Sequence, residues 1–186
     1  MAGLDSYFII PPDWKEKVKI SHVWRTSIKT AKTGHEKRAS LWTKKRKRIS
    51  FSTLTISREE LAWLQANLFE SGHKQWGFPL WPDRAVLISQ ASVGDLSLKV
   101  NSTEFREFET GKEFILIGEI FDSIEVKTIS NILPGEIFFN VPLTHDWPVG
   151  SDVYPVISSR ISDGQILFRE TTDTVKISVD ATETLE

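Results

Sequence analysis

The chain has 186 residues, enough for one ordinary domain or two small ones packed together. Its 40% hydrophobic and 26% charged residues, with 7 Trp, 11 Phe and 2 Tyr, exclude disorder over most of the length, and the lack of cysteine excludes disulfides, Cys-containing zinc sites and thiol catalysis. The net charge of −2 hides an asymmetry, because residues 1–84 carry 16 Lys+Arg against 8 Asp+Glu (+8) while residues 85–186 carry 7 against 17 (−10).

A basic front and an acidic back point to two modules, or to one body with two opposite faces. No stretch approaches the roughly 18–20 consecutive apolar residues of a membrane helix. Met1 to Trp14 has no basic run leading into an apolar one, so a signal peptide is not expected. The terminal Leu185–Glu186 fits either a cloning scar or a chain cut from something longer.

Phe8-Ile9-Ile10-Pro11-Pro12-Asp13-Trp14 reads as an extended apolar arm that docks through Phe8, Ile9, Ile10 and Trp14, because paired prolines cannot sit inside a helix. Val18, Ile20 and His22 alternate with Lys19 and Ser21. A phase change near Val23 or Trp24 predicts a bulge or a second strand. Thr33-Gly34-His35-Glu36 is a turn signal, and Lys37 to Ile56 reads as the return arm of a hairpin with residues 18–31, rich in β-branched and aromatic residues after Arg48.

One helix is predicted over 57–71. Ser57 and Glu60 have the spacing of a capping box, Leu61, Leu64 and Leu68 form an apolar stripe, and Gly72 is the natural stop. The Trp- and Pro-rich segment 75–83 is not expected to be regular structure and reads as a buried connecting loop or a docking surface. After Arg84 short strand patterns recur near 85–90, 96–101, 112–118, 122–131, 136–140, 152–158, 165–170 and 174–179, with turns at Gly94, Gly111, Pro134-Gly135, 147–150 and Asp163-Gly164. The fold class is therefore mainly β with one main helix (α+β). A basic hairpin-and-helix module (1–84) precedes an acidic antiparallel barrel or sandwich (85–186).

Catalytic signatures are missing. The four histidines, His22, His35, His73 and His145, show no HxH, HxxH or HxxxH pairing, and there is no GxSxG, GxxxxGK[ST] or GxGxxG motif. No catalytic, cofactor or metal residue is assigned and no small-molecule substrate is expected. His145-Asp146 reads as a turn packed on Trp147.

The strongest local charge feature is Lys44-Lys45-Arg46-Lys47-Arg48. Five cations entering a strand repel one another unless an anion lies nearby. A protein surface, solvent and the nucleic-acid backbone are the three readings, with protein contact leading. Core is the expected place of Trp24, Trp63 and Trp76. Trp81 and Trp147, each before a proline, suit an interface.

The order of these motifs is distinctive: Pro12-Asp13-Trp14, Trp24-Arg25-Thr26-x-Ile28, Thr33-Gly34-x-Glu36-x-Arg38-Ala39, Arg48-Ile49-Ser50-Phe51, Trp76-Gly77-Phe78-Pro79-Leu80-Trp81-Pro82-Asp83, Val141-Pro142-Leu143 and Trp147-Pro148-Val149-Gly150. It resembles minor tail proteins of tailed bacteriophages and prophages, tip or baseplate components, along nearly the whole chain. The resemblance implies the N-terminal part of a longer virion protein, a structural role without enzyme activity, homo-oligomeric assembly and other tail proteins as partners. It also implies residence in the virion, or in the bacterial cytoplasm before assembly. Lys44, Lys45, Arg46, Lys47, Arg48, Trp81 and Trp147 are the candidate interface residues. A nucleic-acid-binding module using 44–48 and a carbohydrate-binding tail module are the alternatives.

Overall fold

The structure, a computed structural model, describes residues 6–30, 32–41, 45–68, 74–118, 123–162, 166–169 and 174–184. It is mostly β, with one helix and open antiparallel sheets. In chain order the strands are β1 (Ser6–Tyr7), β2 (Lys19–Val23), β3 (Thr26–Thr30), β4 (Glu36–Ser40) and β5 (Arg46–Thr55), followed by helix α1 (Arg58–Leu68). Then come β6 (Trp76–Pro79), a 3₁₀ turn at Trp81–Asp83, β7 (Ala85–Val86), β8 (Ser97–Lys99), β9 (Glu113–Ile117) and β10 (Ile124–Leu133). The chain closes with β11 (Glu136–Phe139), β12 (Asp152–Ile161), β13 (Ile166–Arg169) and β14 (Val175–Glu183).

The main sheet runs β2-β5-β14-β12-β9-β10-β11-β8, with β6, β7 and β13 branching from it. Its two end strands, β2 and β8, do not pair with each other, so of the expected barrel or sandwich a closed barrel is not formed among the described residues. Strand pairing is antiparallel except for β1, which lies parallel to β6.

Local sequence explains the elements. Helix α1 starts where the capping box predicts: the Glu60 backbone N–H donates to Ser57 Oγ at 3.1 Å, and Glu60 Oε2 accepts from the Ile56 and Ser57 N–H groups at 2.7 and 3.3 Å. Gly72 and the Asp163-Gly164 turn lie outside the described residues. Gly34 closes the β3–β4 hairpin at φ 83° and Gly135 the β10–β11 turn at φ 75°, left-handed backbone that a side chain disfavours. The predicted phase change is the gap between β2, which ends at Val23, and β3, which begins at Thr26.

Two hydrophobic clusters hold the sheet. The first gathers the N-terminal arm, β5, β6, α1, β12 and β14. In it Phe8 stacks on Phe78 (centroids 5.3 Å apart) and meets Phe51 edge-on at 5.6 Å. The arm docks through Phe8, Ile9 and Ile10 as read from sequence, but Trp14 stays exposed.

The second cluster lies among β7 to β11 and includes Trp147. Alternation along β9 joins the two, since Ile115 enters the first cluster while Phe114 and Leu116 enter the second. All buried members of the second cluster lie at residue 85 or beyond. The first draws on both sides of Arg84, because β14 pairs with β5 from Val175↔Thr55 to Thr182↔Arg48. The hairpin-and-helix segment thus completes its core with strands from the acidic half.

Candidate interaction surface

Two of the five cations of the basic run, Lys47 and Arg48, meet counter-charges inside the chain. Lys44, like Trp42, lies outside the described residues; Lys45 is exposed and Arg46 half-buried. The Lys47 ammonium, 15% exposed, is paired with Glu107, and the Lys47 backbone N–H donates to Glu183 Oε2 at 2.8 Å. Arg48 Nε donates to Asp180 Oδ1 at 2.7 Å, a hydrogen bond that holds the Asp180 carboxyl below its ordinary value.

These acids come from the acidic half, two of them from β14 beside β5. Adjacent strands carry the opposite signs, so the charge split between the chain's halves is partly neutralised by strand pairing. Neutral strand positions would not require that match.

Trp81 and Trp147, expected at an interface, are each 3% exposed and offer no side-chain surface to a partner. Trp81 packs edge-on against Tyr154 with centroids 5.0 Å apart. Trp147 donates from Nε1 to Glu125 Oε2 at 2.7 Å. The prolines after them set the backbone turns and carry no information about exposure. Trp76 is buried as read. Trp24, expected in the core, is 65% exposed at the root of the β3–β4 hairpin.

Glu125 was not legible as a special residue. In Ile124-Glu125-Val126-Lys127 the apolar pair suggests the inward face, yet Glu125 and Lys127 are the buried residues. Glu125 Oε1 accepts from the Thr144 backbone N–H (2.6 Å), the Thr144 hydroxyl (3.0 Å) and Lys127 Nζ (3.0 Å). Burial alone would raise this carboxyl. The hydrogen bonds from Trp147, Thr144 and Lys127 outweigh it and hold the carboxyl at about 2. His145, exposed rather than packed, has Nδ1 3.0 Å from the Thr144 hydroxyl and 3.8 Å from Glu125 Oε2. With both oxygens of Glu125 engaged, this centre ties the 144–147 turn to β10. Among the described residues no group of three His, Asp or Glu side chains is placed to hold a metal ion.

The outward feature is the β3–β4 ribbon. Its strands pair only with each other, apart from the main sheet, and all but Ser27 of their residues are exposed. Such a two-stranded unit is marginal by itself in water. Registers fix its faces. Thr26↔Ser40, Ile28↔Arg38 and Thr30↔Glu36 share one face, where Arg38 Nη2 meets Glu36 Oε2 at 3.1 Å. Ser27↔Ala39 and Lys29↔Lys37 share the other, extended by Arg25 opposite Leu41, whose N–H donates to the Arg25 carbonyl at 2.7 Å. Exposed Trp24, Ile28 and Leu41 add apolar contact area at the root and along the arm.

No helix of the described residues is long and apolar enough to cross a membrane. In comparisons with known proteins, no family model matches the chain and no curated protein matches it.

Proposed function

We propose that this chain is a structural component of a phage or prophage tail, at the tip or baseplate, that assembles through protein–protein contacts. The observation that carries the reading is the ribbon, Arg25 to Leu41. It buries no core of its own and exposes Trp24, Ile28 and Leu41, so its surface gains from a partner. The motif order running from Pro12-Asp13-Trp14 to Trp147-Pro148-Val149-Gly150 supports the same class. In this reading the basic hairpin-and-helix segment, residues 1–84, reaches outward. The acidic antiparallel segment, residues 85–186, is the sandwich-like part that receives. The chain works in the virion after synthesis in the bacterial cytoplasm, and its partners are other tail proteins and further copies of itself.

The test uses a chain in which Thr26–Ser40 is replaced by Asn-Gly. Arg25 and Leu41 already sit opposite each other with the hydrogen bond of a hairpin turn. In the phage or prophage that encodes it, the natural chain is expected in purified tails, and the shortened chain is expected to be missing from them. A natural chain absent from tails, or a shortened chain incorporated normally, overturns the proposal.

A further inference from the structure

We infer that Phe105 anchors a two-fold contact between copies of this chain, its ring seating in the cavity beside the same loop on the second copy. Among the described residues Phe105 is the one non-glycine residue with positive φ, 57°, and its ring is fully exposed. That backbone disfavours a bulky side chain, and a fully exposed ring gains no burial within its own chain to offset the strain. The surroundings impose the conformation. The Glu104 N–H donates to Ser102 Oγ at 3.1 Å, the Thr103 hydroxyl to the Leu133 carbonyl at 2.9 Å and Arg106 Nε to the Arg84 carbonyl at 2.7 Å. Strain held in this way clusters at binding contacts, and a ring fixed before contact loses little freedom on binding.

The receiving surface borders the same loop. An open cavity of about 470 Å³ lies among Ile88, Val100 and Pro134, with Lys99, Glu104 and Glu136 as its charged lining. Phe105 follows Glu104 directly, yet its ring does not line the cavity, so knob and hole stand side by side. Exposed Ile88 and Leu133 extend the apolar area. This arrangement identifies the partner as a second copy, because a two-fold contact requires each copy to supply both halves on one surface. The charges agree. Residues 104–106 and the cavity carry Lys99 and Arg106 against Glu104 and Glu136, a net charge of zero, so the face meets its own image without repulsion. The ribbon's facing Lys29 and Lys37 lack that property. The contact lies wholly beyond residue 87 and is independent of the ribbon.

The experiment is sedimentation equilibrium of the purified full chain from about 5 to about 500 μM, for the natural protein, Phe105→Asn and Ile88→Glu, with near-ultraviolet circular dichroism to show that each variant is folded. The natural chain is expected to dimerise with a Kd on the order of 10–100 μM, the strength of a small interface, and each variant at least about tenfold more weakly. A one-to-one mixture of the two variants is expected to dimerise more tightly than either alone. It restores one intact contact, the Phe105 ring of the Ile88→Glu copy in the cavity of the Phe105→Asn copy. A natural chain that stays monomeric at the highest concentration overturns the inference, as does a Phe105→Asn chain that dimerises equally well. An Ile88→Glu chain that matches the natural one, or a mixture no tighter than its components, removes the cavity as the receiving site and overturns it too. If the chain is absent from purified tails yet dimerises through Phe105, the assembly role fails while the dimer stands.

Discussion

The indole nitrogen of Trp147 donates to the carboxylate of Glu125 at 2.7 Å, with both side chains in the interior and Lys127 Nζ 3.0 Å from the other carboxylate oxygen. A buried charge is held by its counter-charge and its hydrogen bonds together, and the two partners here are not equally dependent, since Glu125 has further donors. Glu125→Gln leaves the Lys127 ammonium buried without a counter-charge, and is expected to destabilise the fold by about 3–5 kcal/mol in urea titrations. Lys127→Met leaves the carboxylate its bonds to Thr144 and Trp147 and is expected to lower stability by about 1–2 kcal/mol.

The same carboxyl sets an acid limit. Its folded value, about 2, lies below the ordinary 4.5, so its contribution is complete above pH 4.5 and is lost as the pH falls toward 2. Urea midpoints measured across that interval are expected to fall with acidification in the natural chain, and to fall less steeply in Glu125→Gln.

The capping box at α1 is a second point of control. Ser57→Ala removes the acceptor of the Glu60 N–H and is expected to lower stability by about 1 kcal/mol. Ser57→Asp, which keeps an acceptor and favours the helix dipole, is expected to stay within about 0.5 kcal/mol of the natural protein.

Replacing Thr26–Ser40 by Asn-Gly is expected to leave the melting temperature of the isolated chain within about 2 °C, since exposed residues away from the core contribute little to stability. In the natural chain the amides of β3 and β4 are expected to exchange with deuterium far sooner than those of β14, whose inward residues are buried between β5 and β12. Equal protection of the two regions would contradict the exposed-arm description.

Phe105 is fully exposed and holds φ at 57°, a left-handed backbone that costs a bulky residue about 1 kcal/mol or more. Its loop is fixed on both sides: the Glu104 N–H donates to Ser102 Oγ, Arg106 Nε to the Arg84 carbonyl and the Glu107 N–H to Asp83 Oδ2. Phe105→Asn is expected to raise the unfolding free energy by about 0.5–1 kcal/mol, because asparagine tolerates this conformation. A lower value would mean that the ring contributes to the fold despite its exposure.

Local elements were legible in the sequence: alternation, turn glycines and the Ser57–Glu60 cap located most strands, the main helix and the hairpin, because each signal is spelled by residues a few positions apart. Segment 75–83 was not, since Trp76–Pro79 forms β6 against β12, a strand set by long-range pairing despite its Gly and Pro. The sequence also marked where the signs of charge lie along the chain. Tertiary structure decided what those charges meet. The Lys47–Glu107 and Arg48–Asp180 pairs join segments far apart in the chain, and no spacing rule records that β14 lies beside β5. Burial was likewise decided by packing. Trp81 and Trp147 turn inward from loops and Trp24 turns outward from an edge, and the residues beside them in sequence are indifferent to which occurs. Within the basic run, Lys47 and Arg48 are thereby answered inside the molecule. The facing lysines of the ribbon, Lys29 and Lys37, likewise become neighbours only once the hairpin has formed.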